Sequence, residues 1–587
     1  MTASLLNGPT AFLLTPEEVR RFESAAPTVG AIVALSPAAQ AAVSQAWRDR
    51  LVEEPLSDCA HARIAARGER VRKAFLAALD AGPPLRPSTR QAIGYSFMLN
   101  AYLIARIWEI LRVPGPWLVP QSDGWTLVSD REEAHRRLVE HFHPSTDRCR
   151  SVPMPWLFRP LRGLVLRLLR RRGPWLLSRT RDLVFGLDAL IDAKEPALRR
   201  LVVARARRGL RAYLDLVATL RHGFSQRQDL QVALLFGDAP EVRKALAGAL
   251  ERISDGVVAR GLTTKLRASI MAEAAECETA FKDALAVIRA IAPKAYAARQ
   301  GSGQFAVVAD AAGVLGVPRY IVNYNSYPDN DSRLARSVLD VFFDARLPLN
   351  LSDVYPLWSP HIAATAARVH GGRTKSKLLP MRLAPLNGGC VREVDGLRRI
   401  IVADTFTEYR YFIPCVLQTS SEYLRSVRAL VESLEGLPDV ELTLRAKNKG
   451  ECSGDTLRSL IGERPGLRVT GVSRPFEEAV ELSDLLVSFG STTIEDAIRC
   501  RRPVLLWGPV QRYRHLPARA LPPTANSRSA IYVANEEADL RPMIAAILDA
   551  HAGKPLTDDE IAAHIWPESV PGPERVADMI AEGARLP

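Results

Sequence analysis

One βαβ segment near the C-terminus constrains the fold of this chain more than any other feature of the sequence. An apolar run at 483–489 leads into a small-residue turn at 490–493, an amphipathic stretch at 494–498 and a second apolar run at 502–508. Read by its apolar period, this order predicts a buried strand, a turn, a helix and a second buried strand. We therefore expect a parallel α/β sheet in this part of the chain.

The turn carries three hydroxyls, from Ser491, Thr492 and Thr493, beside the backbone N–H groups that begin the predicted helix. Free N–H groups and the partial positive charge of a helix N-terminus attract phosphate, so the predicted ligand is a phosphorylated donor. Thr492 and Glu495 also fit a capping box, in which the hydroxyl and the carboxylate satisfy each other's backbone donors. A structural cap and a ligand site are both compatible with this spacing.

Length and composition indicate a multidomain globular protein. The 587 residues exceed what one hydrophobic core organises, and we expect about three to four domains. A hydrophobic share of 47% and a charged share of 24% argue against global disorder. The net charge of +13 favours polyanionic or membrane-surface partners without identifying one. The 7 cysteines show no zinc spacing and the N-terminus shows no secretory signal, so we expect a reducing cytoplasm.

Two stretches bear on contact with a membrane. The apolar window 95–111 is interrupted by Asn100, Arg106 and Glu109, which predicts a core helix rather than a membrane span. The segment 156–177 interleaves leucines and arginines at helical spacing, which is typical of a helix in the headgroup layer of an anionic membrane. The same pattern fits a helix packed on the protein body. Nucleic-acid binding is not predicted, because no recognised fold motif accompanies the basic residues.

Changes of pattern along the chain predict four segments. They are a βα segment at 1–56, a mainly helical insertion or domain at 57–230, a Rossmann-like domain at 231–390 and a second Rossmann-like domain at 391–587. The strands predicted for the last domain lie at 397–403, 440–444, 467–470, 485–489 and 504–507. The predicted class is therefore α/β, with two doubly wound sheets and a large helical part in the N-terminal half.

The order of these parts resembles the GT-B architecture of glycosyltransferases, in which two Rossmann-like domains face a cleft. The turn at 490–493 and the Arg-Pro-Val-Leu-Leu run at 502–506 are similar to bacterial surface-polysaccharide transferases and the CDP-glycerol glycerophosphotransferase type. This resemblance implies a nucleotide donor on the C-terminal domain, with the hydroxyls of 491–493 on its phosphates. It also implies that Glu495 is directed at the ribose or sugar, and that the acceptor approaches from the N-terminal domain.

The chain departs from that family in two places. Residues 323–326 read Asn-Tyr-Asn-Ser where these transferases often show Gln-His-Gly, so no catalytic histidine is assigned there. The family's His-Pro pair is replaced at 445–449 by Arg-Ala-Lys-Asn-Lys.

Arg445, Lys447 and Lys449 follow a predicted buried strand, at the carboxyl edge where α/β sheets bind ligands. Their charges are predicted to compensate the negative charge that develops on a departing diphosphate. No Asp-x-Asp motif stands in a convincing strand context, so a metal-independent mechanism is predicted. An ordinary solvated basic loop is the alternative.

The general base is not assigned by the sequence. Glu408, Asp353 and His361 are predicted on loops that face the cleft, but loop carboxylates also serve as caps and turn formers. His515 follows the last predicted strand and is a candidate ligand of the diphosphate.

Three functions fit these features. The first is a cytoplasmic transferase, peripheral on the inner face of the membrane. It moves a sugar or polyol phosphate from a nucleotide-activated donor to a surface-polysaccharide or lipid-linked glycan acceptor. The second is a nucleotide-sugar 2-epimerase of the same architecture, which needs no acceptor. The third is a non-catalytic scaffold in polysaccharide assembly. No further cofactor is expected.

Overall fold

A computed structural model describes most of the chain. The described residues are 8–25, 27–81, 85–121, 124–143, 183–186, 202–207, 230–233, 239–298, 304–322, 333–346, 351–370, 376–383, 386, 396–403, 406–437, 439–446, 450–471, 476–491, 493–508 and 516–582. The predictions that fall outside them concern the basic segment 156–177, residues 323–326, Lys447, Lys449, Thr492 and His515.

The strands among these residues form three sheets. The first holds β1 (Thr10–Leu13), β2 (Ala31–Ala34), β3 (Leu51–Val52), β4 (Trp117–Gln121) and β5 (Gly124–Val128). The second holds β6 (Leu183–Gly186), β7 (Val202–Arg207), β8 (Leu230–Ala233), β9 (Ala295–Ala298), β10 (Arg319–Ile321), β11 (Val354–Leu357) and β12 (Lys377–Pro380). The third holds β13 (Arg398–Ala403), β14 (Val440–Arg445), β15 (Leu467–Thr470), β16 (Leu485–Ser488), β17 (Val504–Leu506) and β18 (Ile531–Val533).

The helices lie between these strands. They are α1 (Pro16–Ala25), α2 (Pro37–Ala42), α3 (Asp58–Asp80), α4 (Pro87–Ile110), α5 (Arg131–Phe142), α6 (Pro240–Glu251), α7 (Gly256–Gly261), α8 (Thr264–Ile291), α9 (Gln304–Val314), α10 (Arg333–Arg346), α11 (Pro360–His370), α12 (Ser420–Ser433), α13 (Gly454–Ile461), α14 (Phe476–Glu481), α15 (Thr493–Arg499), α16 (Glu537–Ala550), α17 (Asp558–Ile561) and α18 (Pro573–Glu582).

The third sheet has the strand order β15-β14-β13-β16-β17-β18, and each of its neighbouring pairs is parallel. Numbered along the chain, this is the order 3-2-1-4-5-6 of a doubly wound nucleotide-binding sheet. Its strands are short runs of β-branched and aliphatic residues buried on both faces, as in Leu485–Ser488, which favours a parallel sheet covered by helices on both sides.

The second sheet repeats the same order. Read from its opposite end, β8-β7-β6-β9-β10-β11-β12 is 3-2-1-4-5-6-7, and its neighbouring pairs are parallel. Helix α18 packs into the core of this sheet, and the Tyr320 hydroxyl donates to the Met579 carbonyl over 3.1 Å. The end of the chain therefore returns to the second sheet after the third is complete. The predicted α/β class with two doubly wound sheets is confirmed.

The first sheet is a smaller unit of the same kind. Its order is β3-β2-β1-β4-β5, parallel except for the antiparallel pair of β4 and β5. Long helices α3 and α4 cover one face, and the apolar window predicted as a core helix lies inside α4, with Tyr102 and Ile104 fully buried. Among the described residues, no helix is long and apolar enough to cross a bilayer.

The domain division differs from the prediction in the N-terminal half. The segment 57–230 holds helices α3 to α5, but β4 and β5 complete the first sheet, and β6, β7 and the first residue of β8 belong to the second. The strands at 183–186 and 202–207 therefore place the start of the second sheet before the predicted boundary at 230. A short strand in the middle of a parallel sheet is an apolar run whose periodicity does not distinguish it from part of a buried helix.

Candidate functional site

The candidate site lies at the carboxyl edge of the third sheet. There the strand order reverses between β13 and β16, the point where doubly wound sheets open a crevice for ligands. Ala403, the last residue of β13, is in register with Arg445 on one side and with Ser488 on the other. With neighbouring strands about 4.8 Å apart, the backbones of Arg445 and Ser488 lie about 10 Å from each other. The two predicted donor-binding segments thus leave the same edge.

The bend after β16 is built by a glycine and a serine. Gly490 has a φ of 114°, which L-amino acids with side chains rarely adopt, and its N–H donates to Ser488 Oγ over 3.2 Å. Ser491 Oγ accepts from the Thr493 N–H over 3.4 Å, and the Ser491 carbonyl accepts from the Ile494 N–H over 3.1 Å. Among the described residues, the side-chain hydroxyl that accepts a hydrogen bond from the first turn of α15 is therefore that of Ser491.

The side chains around this bend sit below the surface. Ser491 is 8% exposed and Glu495 is 4% exposed, whereas Thr493 is half-buried. The Thr493 hydroxyl has no hydrogen-bond partner among the described residues. The Thr493 hydroxyl and both carboxylate oxygens of Glu495 are thus closed to solvent, and Glu495 lies inside the first turn of α15.

Arg445 ends β14 with a side chain that is 9% exposed. Its guanidinium carbon lies 5.3 Å from the centroid of the Phe476 ring, at the start of α14. Burial lowers the pKa of Arg445 from its ordinary value, and the nearby Glu477 carboxylate opposes the shift. A partly desolvated guanidinium held against a ring is pre-organised for an anion, since its charge is poorly screened by water.

The loop after β13 leaves the same carboxyl edge of the third sheet. Tyr409 is buried; its N–H donates to Glu451 Oε2 over 2.8 Å, and its carbonyl accepts from Arg106 Nη1 over 3.1 Å. Burial raises the pKa of the Tyr409 hydroxyl, despite the opposing charge of Arg106. Glu451 follows β14, so one backbone amide ties together the loops that leave two neighbouring strands.

The first α/β unit holds this loop in place, which the sequence did not predict. Arg106 on α4 forms a buried ion pair with Glu54, with Nη2 and Oε2 2.6 Å apart, and its guanidinium lies 3.7 Å from the Tyr409 ring. Tyr409 and Phe412 belong to the same hydrophobic core as Phe12 and Leu35. The sequence did contain one sign of this contact: the charged residues Arg106 and Glu109 lie within an apolar window. A charge inside a core helix needs a partner elsewhere in the fold.

The predicted general-base candidates take different places. Asp353 lies at the amino end of β11 and accepts hydrogen bonds from the Arg319 N–H, Nε and Nη2, so its predicted position on a cleft-facing loop was wrong. His361 lies in the first turn of α11, after the carboxyl end of β11, half-buried. Burial lowers the pKa of His564 to about 4, with a smaller contribution from the charge of His361. Glu408 is half-buried at the start of the loop that holds Tyr409.

A cavity of about 730 Å³ lies at the opposite edge of the third sheet. It is lined by residues 434–437 and 462–467, where β14 and β15 begin. Amino edges of parallel sheets are not where doubly wound proteins bind nucleotides, so this cavity is separate from the candidate site. Within the described ranges, no cluster of three or more His, Cys, Asp or Glu side chains has the geometry to hold a metal ion.

Comparisons with known proteins add a distant likeness of fold. No protein-family model and no curated protein matches the sequence. The structure overlaps that of a UDP-GlcNAc 2-epimerase from Neisseria meningitidis bound to UDP-GlcNAc, with a TM-score of 0.37 and 10% identity, over 68% of this chain and 98% of that one.

Two further solved structures overlap to the same extent. MurG from Acinetobacter baumannii gives a TM-score of 0.36 at 12% identity, and HepE from Anabaena, in complex with UDP and glucose, gives 0.37 at 13%. Each alignment covers 68% of this chain and 98% of the other. Function is therefore inferred from the residues of the site itself.

Proposed function

We propose that this protein is an enzyme that binds a nucleotide-activated donor at the carboxyl edge of its third sheet and transfers the sugar or polyol phosphate to an acceptor. The observation that carries the proposal is the strand order 3-2-1-4-5-6, with the Gly490 bend at the point where that order reverses. A second sheet of the same order earlier in the chain supplies a surface for the acceptor.

The chemistry rests on charge compensation. Transfer from a nucleotide donor leaves a diphosphate whose negative charge must be stabilised as it develops. In the proposal, the bend at 490–493 holds the phosphates on one side of β13, and Arg445 approaches from the other side. Ser491, Lys447 and Thr492 are proposed as further donor ligands, and Glu495 is proposed to orient the ribose or sugar.

The acceptor is proposed to be a surface-polysaccharide or lipid-linked glycan, met at an anionic membrane surface through the basic segment 156–177. The support is the interleaving of leucines and arginines in that segment. Co-sedimentation with vesicles of neutral or anionic phospholipid, using the full chain and a variant with the segment's arginines replaced by glutamine, tests this part alone. Equal sedimentation of the two proteins with anionic vesicles contradicts it.

Calorimetric titration of the full chain with UDP-, CDP-, CMP- and GDP-linked donors tests donor binding and identifies the nucleotide. Arg445→Ala is expected to weaken binding about 10- to 100-fold, as for the loss of a hydrogen bond to a charged group. Glu495→Gln is expected to weaken binding of the intact donor more than that of the free nucleotide. Arg398→Ala is the matched control, because Arg398 begins β13 at the amino edge and pairs with Asp549.

The reaction is then separated from binding. The donor that binds is incubated with and without a glycan acceptor, and the products are resolved by chromatography. Transfer only in the presence of an acceptor is expected. Conversion of the donor to its 2-epimer without an acceptor contradicts the transferase proposal in favour of an epimerase, and binding with no turnover favours a scaffold.

A further inference from the structure

A histidine and a glutamate meet at the carboxyl edge of the first sheet. Glu18 lies in the first turn of α1, directly after β1, and His141 is the second-last residue of α5. His141 Nε2 lies 2.8 Å from Glu18 Oε1. Glu18 Oε2 accepts from the backbone N–H of Leu14 over 2.6 Å and of Thr15 over 3.3 Å. The carboxylate is thus fixed from both sides.

The protonation of this pair follows from its hydrogen bonds. Burial opposes ionisation of Glu18, which is 6% exposed, but the hydrogen bonds from His141 and Leu14 outweigh it, so the pKa of Glu18 lies below its ordinary value. An ionised carboxylate only accepts, so His141 Nε2 carries the proton of this hydrogen bond, and in the neutral ring Nδ1 is the nitrogen that can accept a proton. The His141 side chain is 26% exposed, which leaves the ring accessible to a substrate.

The pair lies beside the Tyr409 loop, which leaves the carboxyl edge of the third sheet. The ring of Phe142, next to His141, is 5.6 Å from that of Tyr409. The carboxyl edges of the two sheets also touch directly: Ser420 Oγ donates to the Leu35 carbonyl over 2.7 Å. The switch point of the first sheet, between β1 and β4, therefore faces the edge of the third sheet.

We propose, building on the proposed function, that His141 is the general base of the transfer and that Glu18 is its positioning residue. The acceptor hydroxyl gives its proton to His141 Nδ1 while its oxygen forms a bond to the reacting carbon of the donor, or to phosphorus for a polyol phosphate. The bond from that atom to the nucleotide phosphate breaks, and the leaving group takes the electron pair. Glu18 stabilises the imidazolium that results.

This assignment gives the first unit a chemical role. The Glu18 carboxylate also closes a capping box at the start of α1, because the Glu18 N–H donates to Thr15 Oγ1 over 3.2 Å. The 26% exposed imidazole of His141 is the part of the pair that this cap does not use. A histidine oriented by a carboxylate is the arrangement that general-base catalysis requires, because it fixes both the tautomer and the direction of the ring.

The test uses His141→Gln in the full chain, because the glutamine amide still donates to Glu18 but accepts no proton. Transfer from the donor identified by titration is measured under saturating conditions. A fall in kcat of about 10²- to 10⁴-fold is expected, with donor Kd within about twofold of wild type and an unchanged melting temperature. Glu18→Gln is expected to lower kcat less. Glu17→Gln and Glu140→Gln, on the exposed neighbours, are the matched controls and retain wild-type kcat.

The outcomes separate this inference from the proposed function. If wild type binds and turns over a donor but His141→Gln keeps kcat within about threefold, the general-base assignment is overturned while the proposed function stands. If His141→Gln loses kcat only in proportion to a lower melting temperature or weaker donor binding, the pair is a structural contact and the assignment is also overturned. If wild type binds no nucleotide, the proposed function fails, and the inference falls with it.

Discussion

The guanidinium of Arg106 joins the first unit to the Tyr409 loop, and a buried ion pair with Glu54 holds it in place. Their side chains are 2% and 0% exposed, and Arg106 Nη1 also donates to the Tyr409 carbonyl over 3.1 Å. The guanidinium carbon lies 3.7 Å from the Tyr409 ring and 4.3 Å from the Phe412 ring. Burial disfavours this charge, but Glu54 outweighs it and raises the pKa of Arg106. The guanidinium is therefore charged in the folded protein.

Replacing Arg106 with methionine keeps the apolar volume and leaves Glu54 as a buried charge without its partner. Breaking such a pair costs about 3–5 kcal/mol. Because the Tyr409 carbonyl loses a donor in the same change, we expect the Tyr409 loop to open more often. Each 1.36 kcal/mol is tenfold in an equilibrium constant, so amide hydrogen exchange across 406–416 should accelerate roughly 10²- to 10⁴-fold.

A double-mutant cycle isolates the pair. Arg106→Met combined with Glu54→Met removes both charges, and we expect it to recover most of the lost protection, since a buried ion pair replaced by apolar side chains is often neutral in stability. The control is Arg425→Met, which breaks the exposed ion pair with Glu53 at the same interface and should cost about 1 kcal/mol or less. Exchange that is unchanged in Arg106→Met, or equally fast in the double variant, refutes this reasoning.

Three further predictions concern stability and the site. His135, His551 and His564 each have a pKa lowered to about 4, chiefly by burial. In the unfolded chain the pKa of a histidine is about 6.5. Between these two pH values the unfolded chain therefore binds more protons than the folded protein. The free energy of unfolding should thus fall by several kcal/mol as the pH is lowered from 6.5 to 4. Melting temperatures measured across that range will check this. Gly490→Ala should cost about 1–3 kcal/mol of backbone strain and weaken nucleotide binding, measured by calorimetry. Gly466→Ala, at φ 73° with its added carbon 2.8 Å from the Val440 carbonyl, should lower the melting temperature without changing that binding.

The sequence was sufficient to predict the strands of the third sheet, because they are separated by clear turns and helices. The predicted strand at 397–403 is β13, that at 440–444 is β14, and that at 485–489 contains β16. Each is a short apolar run followed by small or polar residues, which is the pattern of a buried parallel strand. Strand order does not follow from the same pattern, and it is the order that locates the crevice.

The first and second sheets were harder to predict for a physical reason. The strands β4 and β6 are joined in space to segments far away in the chain, and an isolated apolar run does not specify its neighbour. The predicted helical domain at 57–230 followed from the composition of α3 and α4, which are helical, and missed the strands beyond them. The first unit therefore had no predicted relation to the candidate site.

The residues of the candidate site likewise fall into those that follow from local sequence and those that depend on the tertiary fold. Arg445 and the bend at 490–493 were predicted from local pattern, since both follow directly after strands. Glu18 and His141 were not predicted, because 123 positions separate them and only the tertiary fold brings them together. Asp353 was misplaced because a carboxylate at the start of a strand and one at its end look alike in the sequence.

Hydrogen-exchange mass spectrometry of the full chain with and without UDP tests the central claim most directly. If UDP does not bind, the nucleotide that titration identifies replaces it as the probe. We predict protection in peptides that cover 403–411 and 488–496, at the carboxyl edge of the third sheet, with peptides at 434–437 and 462–467 unchanged. Protection confined to those last two segments, around the cavity at the amino edge, would contradict the placement of the nucleotide at the switch point.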